Sequence, residues 1–345
     1  MTAPKESNRQ TMRALVWEGR GRAPILAERP IPADDFGSVR VSVSYVYLGA
    51  REVSLLGPRL EWVKVPWPLT LGYQGVGRVD GRVVFLNGLV ACGQCSLCAQ
   101  EAGHLCRHGR LLGMSMNGCA AEYVSVPPQA LFPVPASVPE HLVPAMSEVG
   151  TALRALQRGG GTIGKRVAVI GGGNIGLTAA LLARIGGASE VVVVDPDSNA
   201  RAFAVRLLGK SGAVAPADLG QVMMDLVVEA SGSEAGIALA IKSAGFGGAV
   251  VFLSVLGPTS LVFENLFDQA IARELSIFSS HGKTREDLAT AARLLATQPL
   301  LQDVFSFNAV RGFDEAPEVI AGLLSGKCRG PVPIAIIMPA TKRTF

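Results

Sequence analysis

The chain has 345 residues, 49% of them hydrophobic and 17% charged, with a net charge of +4. That length exceeds one ordinary core and predicts two domains with a large buried interior. The charge is small and dispersed, and no basic run interleaved with aromatics and no apolar stretch of membrane-spanning length occurs, so neither nucleic acid nor a membrane is an expected partner.

The first dozen residues are polar and read as a frayed tail without a signal-peptide core. From Met12 to about Pro135, the segments ALVW, VRVSVSYVYL, VGRV, RVVFL and AEYVSV alternate apolar and polar residues between Gly and Pro. They predict a β-rich, partly barrel-like domain. Val79-Asp80-Gly81-Arg82 joins two of these strands through an Asp-Gly turn, a strong hairpin signal. After Pro144 the pattern becomes helix, strand, glycine turn, helix and strand, with DLVVEASG and GGAVVFLSV adding buried strands. This alternation predicts a doubly wound parallel sheet, so the fold class is α/β. The closing strand VPIAIIM returns to the barrel-like texture. The expected division is therefore a β-rich domain over 1–148 and 291–345, and a dinucleotide-binding domain over 149–290.

Cys92, Cys95, Cys98 and Cys106 fall in the single run ACGQCSLCAQEAGHLC. Three thiols two residues apart and a fourth after a short loop predict a closed tetrahedral cage for one structural zinc. Six cysteines without a secretion signal point to a reducing, cytoplasmic setting and to metal binding over disulfides. His104 and His108 read as exposed loop residues, and Cys119 and Cys328 as packing thiols.

Gly171, Gly173 and Gly176 form a GxGxxG turn between the strand VAVI and a helix, which begins with Asn174 and Ile175. The first glycine suits the tight turn, the second a close approach of backbone to pyrophosphate, and the third the packing of helix on strand. Asp195 ends the next strand, where a carboxylate accepts from ribose hydroxyls and repels a 2′-phosphate, so NAD(H) is the expected cofactor. Arg201 lies a turn into the following helix.

Together these motifs resemble the medium-chain dehydrogenase/reductase superfamily, and most of all its zinc-containing alcohol, sorbitol and threonine dehydrogenase branch. The likeness runs from Met12 to Pro339 and includes LGYQGVGRV, the cysteine run, GCAAEYVSVP, GGTIGKRVAVIGGGNIG, VVEASGS and DEAPEVIAGLLSGK. It implies a GroES-like catalytic domain, a Rossmann domain, a homodimer or homotetramer, and a small-molecule substrate. It also implies cofactor contacts from Thr151, Ser231 and Ser254 beside the glycine turn.

The resemblance further implies where a catalytic zinc would be held, and there the chain departs from the family. The positions of the Cys, the His and the third ligand carry Leu48, Tyr73 and Ser147, with Glu148 beside the last. Leucine has no donor atom, and neutral tyrosine and serine are poor zinc ligands. Ala50 replaces the hydroxyl that begins the proton relay, and Arg51 and Gln74 replace outer carboxylates. The expectation is hydride transfer without a catalytic zinc, to an activated C=N, C=C or C=O group of a possibly aromatic metabolite. Tyr73 is the first candidate proton donor, Arg51 an anion stabiliser or clamp, and Glu148 a base or an ion-pair partner of Arg51, with Ser147 and Gln74 nearby. Glu52 reads as solvated. Trp62 and Trp67 read either as the rim of an aromatic pocket or as core. Alternatives are a secondary-alcohol dehydrogenase using Tyr73 or Glu148, a non-catalytic NAD-binding sensor or partner subunit, and a zinc held elsewhere, for instance near His141.

Overall fold

The computed structural model describes residues 10–33, 37–57, 60–61, 63–219, 223–254, 265–306, 310–325 and 334–338. Trp62 and Cys328 lie outside them.

The alternation seen in the first third becomes one assembly of two sheets, antiparallel but for the pair Val310–Gly312 and Ile334–Ile337. Thr11–Trp17 pairs with Ile25–Pro30 and Leu69–Thr70. A larger sheet is built on Val39–Leu48, whose valines and tyrosines suit a pleated, half-buried surface. Gln74–Val79 lies on one side of it and Ile334–Ile337 on the other. The predicted hairpin is present: Asp80 and Gly81 both have positive φ (49° and 75°), and Val79 pairs with Arg82. The strands Val310–Gly312 and Ile334–Ile337 return from the far end of the chain to complete this sheet.

The second assembly is a six-stranded, wholly parallel sheet. Its spatial order is Ala213–Val214, Glu190–Val194, Arg166–Ile170, Met224–Glu229, Ala244–Phe252, Ser276–Ser279. Strands such as VVVV and VAVI are apolar throughout because helices cover both faces. The direction of winding reverses beside Arg166–Ile170, and a crevice at such a point is where doubly wound sheets take their ligands.

One helix joins the two halves. Met146–Arg158 packs against Asn174–Ile185 and Arg285–Thr297. The hydrophobic cluster it belongs to runs from Tyr45, Val76 and Phe85 of the first assembly to Val167 and Leu226 of the second. Its first turn carries Ser147 and Glu148, both buried, between the two assemblies. No helix among the described residues is long and apolar enough to cross a membrane.

Candidate active site and metal centre

The cysteine run folds into a compact knot in which the four Sγ atoms all lie within 4.8 Å of one another. Individual separations are 3.5 Å (Cys95–Cys98), 3.8 Å (Cys95–Cys106) and 3.9 Å (Cys92–Cys98). A tetrahedron with Zn–S bonds of about 2.3 Å has edges of about 3.8 Å, so the four thiols fit a zinc ion without rearrangement. The Cys98 backbone N–H pulls the Cys95 thiol down to about 6, towards the deprotonated form a ligand needs. This is the only cluster of three or more Cys, His, Asp or Glu ligands among the described residues. His108 is exposed as expected, but His104 is not. It is buried with both ring nitrogens unpartnered, and its Cβ lies 3.5 Å from where a side chain on Gly282 would begin. His104 of the cysteine loop is thus packed against Gly282. Cys119 is a packing thiol, buried and donating to the Gly72 carbonyl.

The three glycines of the dinucleotide turn divide their roles as the motif requires. Gly171 has φ +108° and passes so close to the next crossover that a Cβ would sit 2.8 Å from the Ser231 nitrogen. Gly173 has nothing within 4 Å, leaving its backbone open to a phosphate, and a side chain at Gly176 would strike the Gly171 carbonyl. The Asn174 Oδ1 is buried without a partner at the head of this helix, and Ile175 is half-buried. Asp195 accepts from the backbone N–H of Gly172 (2.6 Å) and of Asp197 (2.8 Å), which fixes its carboxylate beside the turn. Arg201 donates to the carbonyls of Asp195 and Pro196. Ser231 donates to Glu229, Thr151 donates to the Ser147 carbonyl, and Ser254 is half-buried.

At the three positions where the resemblance places a catalytic metal, the side chains have other partners. Leu48 is fully buried. Tyr73 is half-buried, its ring lying against Gly88, where a Cβ would come within 2.5 Å of both Cε atoms. The Arg51 guanidinium covers the ring at 4.6 Å from its centroid. Ser147 accepts a 2.8 Å hydrogen bond from the ammonium of Lys283, and both residues are buried. Gln74 donates to Glu148 Oε1 at 3.2 Å, while Oε2 of that carboxyl has no partner. Arg51 forms no ion pair with Glu148: the aromatic stack is its contact, and Gln74 is the hydrogen-bond partner of Glu148.

Burial raises the Glu148 carboxyl to about 7, with Lys283 pulling the other way. Burial likewise lowers Lys283 to about 8 against the attraction of Glu148, and the Arg51 charge depresses it further. The Tyr73 phenol is pushed up by burial and drawn back by Arg51. Tyr47 is pushed well above its usual range by burial and then by the charge of Glu148.

Two residues were not singled out by sequence, and a third was placed wrongly. Lys283 and His281 come from a segment far along the chain. Glu52, expected to be solvated, is 4% exposed and accepts from Gly49 N (2.9 Å) and Tyr73 N (3.1 Å). It pins the backbone of Tyr73 to the start of the helix Ala50–Leu56. Trp67 meets the buried Trp17 edge-on at 5.8 Å and stays 46% exposed, so it lies at the surface over the core. His141 is exposed.

A glycine turn at the switch point of a parallel sheet, a β-rich partner domain and a tetrathiolate knot define a dinucleotide-dependent dehydrogenase with a zinc-binding loop. The family described as zinc-binding dehydrogenase matches residues 174–297, and the alcohol dehydrogenase GroES-like domain matches residues 36–136. L-threonine 3-dehydrogenase of Anaeromyxobacter sp. (strain K) is 30% identical over 325 residues, 87% of this chain and 90% of that protein. The enzyme of the same name from Bacillus subtilis (strain 168) is 27% identical over 301 residues, covering 79% and 84%. A zinc-binding dehydrogenase from Sinorhizobium meliloti 1021 bound to NADP superposes with a TM-score of 0.83 at 25% identity, covering 95% of this chain and all of that one. The chain belongs to the zinc-binding, alcohol and threonine dehydrogenase-like branch of the medium-chain dehydrogenases.

Proposed function

We propose that this chain is an NAD(H)-dependent oxidoreductase whose hydride transfer proceeds without a catalytic metal, on a small molecule with an activated C=N, C=C or C=O group. One observation carries the reading: the oxygen at the third ligand position, Ser147 Oγ, is held by the Lys283 ammonium at 2.8 Å. A metal cation at that oxygen would sit against a buried positive charge. Leu48 adds no donor, and Tyr73 is held by Gly88, Arg51 and the Glu52-bonded backbone.

The bound dinucleotide supplies a hydride at its nicotinamide C4. The chain's residues must orient the acceptor and, for a neutral carbonyl or enone, deliver the proton that balances the hydride; an iminium ion is neutralised by the hydride alone. Tyr73 and Ser147 present hydroxyls at two of the three vacated ligand positions, each able to donate to a substrate heteroatom. As the acceptor carbon takes the hydride, the heteroatom takes the hydroxyl proton, and Lys283 re-protonates Ser147 along the existing hydrogen bond. Glu148, with one oxygen free and an acidity near neutrality, exchanges the proton with Lys283. In the oxidative direction the same groups withdraw it, so a secondary-alcohol dehydrogenase would employ the same residues.

Asp195 favours NAD(H), because its carboxylate is fixed by two N–H donors at the ribose position and would repel a 2′-phosphate. Exposed Ile277 on the edge strand, with Phe246, Phe267 and Ile271 nearby in sequence, supports self-association as a homodimer or homotetramer.

The test is transfer of deuterium from C4-deuterated NADH to iminium, enone and ketone acceptors by protein treated with 1,10-phenanthroline. Transfer that survives chelation and falls in Ser147→Ala and Tyr73→Phe supports the reading. Activity lost on chelation and restored by zinc refutes it, and no transfer to any acceptor favours a binding-only protein.

A further inference from the structure

Arg51 sits in the first turn of Ala50–Leu56, immediately after the strand that delivers Leu48 to the cleft. Its guanidinium stacks on Tyr73 and forms no ion pair among the described residues. The carboxylates around it are engaged elsewhere. Both oxygens of Glu52 accept backbone N–H groups, and Glu148 accepts from Gln74. The guanidinium is therefore left with its flat face on an aromatic ring and its five N–H donors without a carboxylate partner among the described residues.

Other basic groups approach from the opposite side of the cleft. The segment Ser280-His281-Gly282-Lys283 follows the last strand of the parallel sheet. It places the Lys283 ammonium on Ser147; burial lowers the basicity of His281 and Lys283, and the charge of Arg51, near enough to act on both, lowers it further. Lys283 has Glu148 and Asp287 as counter-charges, whereas the Arg51 guanidinium is offset, among the described residues, only by the backbone-bonded Glu52. A half-buried charge so weakly balanced is retained where an incoming anion completes it. A stacked guanidinium presents the planar two-pronged donor geometry that carboxylates and phosphates accept.

We propose that Arg51, facing Lys283 across the cleft, forms a seat for an oxyanion of the substrate, so that the molecule reduced carries a carboxylate or phosphate close to the reacting group. This rests on the oxidoreductase reading and narrows its substrate class from small carbonyl-like compounds to acidic ones. The oxyanion would bridge Arg51 to the basic segment 281–283, closing the cleft over the nicotinamide side of the turn. Tyr73, held under Arg51, would then face the adjoining carbon or heteroatom.

The experiment uses the full chain loaded with NAD+, so that no hydride is available and binding alone is read by calorimetry. Two matched pairs are titrated: dihydroxyacetone phosphate against dihydroxyacetone, and pyruvate against hydroxyacetone. The expected result is at least tenfold tighter binding of one of the anions than of its neutral partner, with the pair that responds identifying phosphate or carboxylate. Arg51→Gln should abolish the preference, Arg51→Lys should keep part of it, and neither should change NAD+ affinity more than twofold. The seat is overturned if neither anion is preferred, if the preference survives Arg51→Gln, or if Arg51→Gln weakens NAD+ itself tenfold, which would make the guanidinium a cofactor contact. Arg51→Lys, which keeps the charge, guards against reading a folding defect as loss of the seat. Anion preference without deuterium transfer to any acceptor would keep the seat and sink the oxidoreductase reading. Transfer to neutral and acidic acceptors alike would do the reverse.

Discussion

Replacing Gly88 with alanine tests the seat of Tyr73, the side chain at the second vacated ligand position. The new methyl would lie 2.5 Å from both Cε atoms of the ring, where ordinary contact begins at 3.4 Å, so the ring must retreat by about 0.9 Å. It has little room to do so, because Arg51 covers the ring and Glu52 holds the Tyr73 nitrogen. Overpacking of this kind costs about 1–3 kcal/mol, and the same displacement at a reacting hydroxyl costs about a hundredfold in rate. The assay is a double-mutant cycle in denaturant with Tyr73→Ala as the second arm. With the ring gone, Gly88→Ala should become neutral or stabilise by about 0.4–1 kcal/mol through the unfolded chain. If Gly88→Ala costs the same in both backgrounds, the ring does not occupy that space and the argument for Tyr73 fails.

Further predictions concern the groups around it. Glu52→Ala strands two backbone N–H groups, at about 1–3 kcal/mol each, whereas Glu52→Gln, whose amide keeps one acceptor oxygen and sets an N–H donor against the other group, should recover at most about half of the loss in the same unfolding assay. Because burial raises Glu148 from 4.5 to about 7, the folded form holds its proton more tightly than the unfolded form does, and stability should fall as pH rises between those values. Glu148→Gln should flatten that part of the stability–pH curve, and an unchanged slope would contradict the assignment. Lys283 has the opposite sign: lowered from 10.5 to about 8, it makes stability rise with pH across that interval, a rise Lys283→Met should remove. Asp195→Ala should weaken NAD(H) binding about 10–100-fold by fluorescence titration while improving NADP(H) relative to it.

What the sequence revealed and what it hid follow from the range of the interactions. The glycine turn, the Asp-Gly hairpin and the cysteine knot were legible because each is decided by spacing within a few residues. The resemblance assigns the three altered ligand positions, Leu48 and Tyr73 from fixed places in motifs and Ser147 by counting back from the glycine turn. Lys283 was not legible, because its partner Ser147 lies 136 residues away and no periodicity marks the contact. His104 looked like an exposed loop residue, as nothing in the cysteine run shows that it will be packed against Gly282. Glu52 was a missed local signal. A glutamate three residues after Gly49 sits where a side chain reaches back to cap a helix, and the structure uses it so. The same alternation that placed Val39–Leu48 in a sheet gave no hint of its slip in register between Val43 and Tyr45.

The central claim is that this dehydrogenase binds zinc only in its cysteine knot and carries out hydride transfer with hydroxyl, carboxyl and ammonium groups. Elemental mass spectrometry of the purified chain, before and after mild chelation, addresses it most directly. The account predicts one zinc per chain, retained on mild chelation and lost in Cys95→Ser. Two zincs per chain, one of them released by the chelator together with the activity, would contradict it.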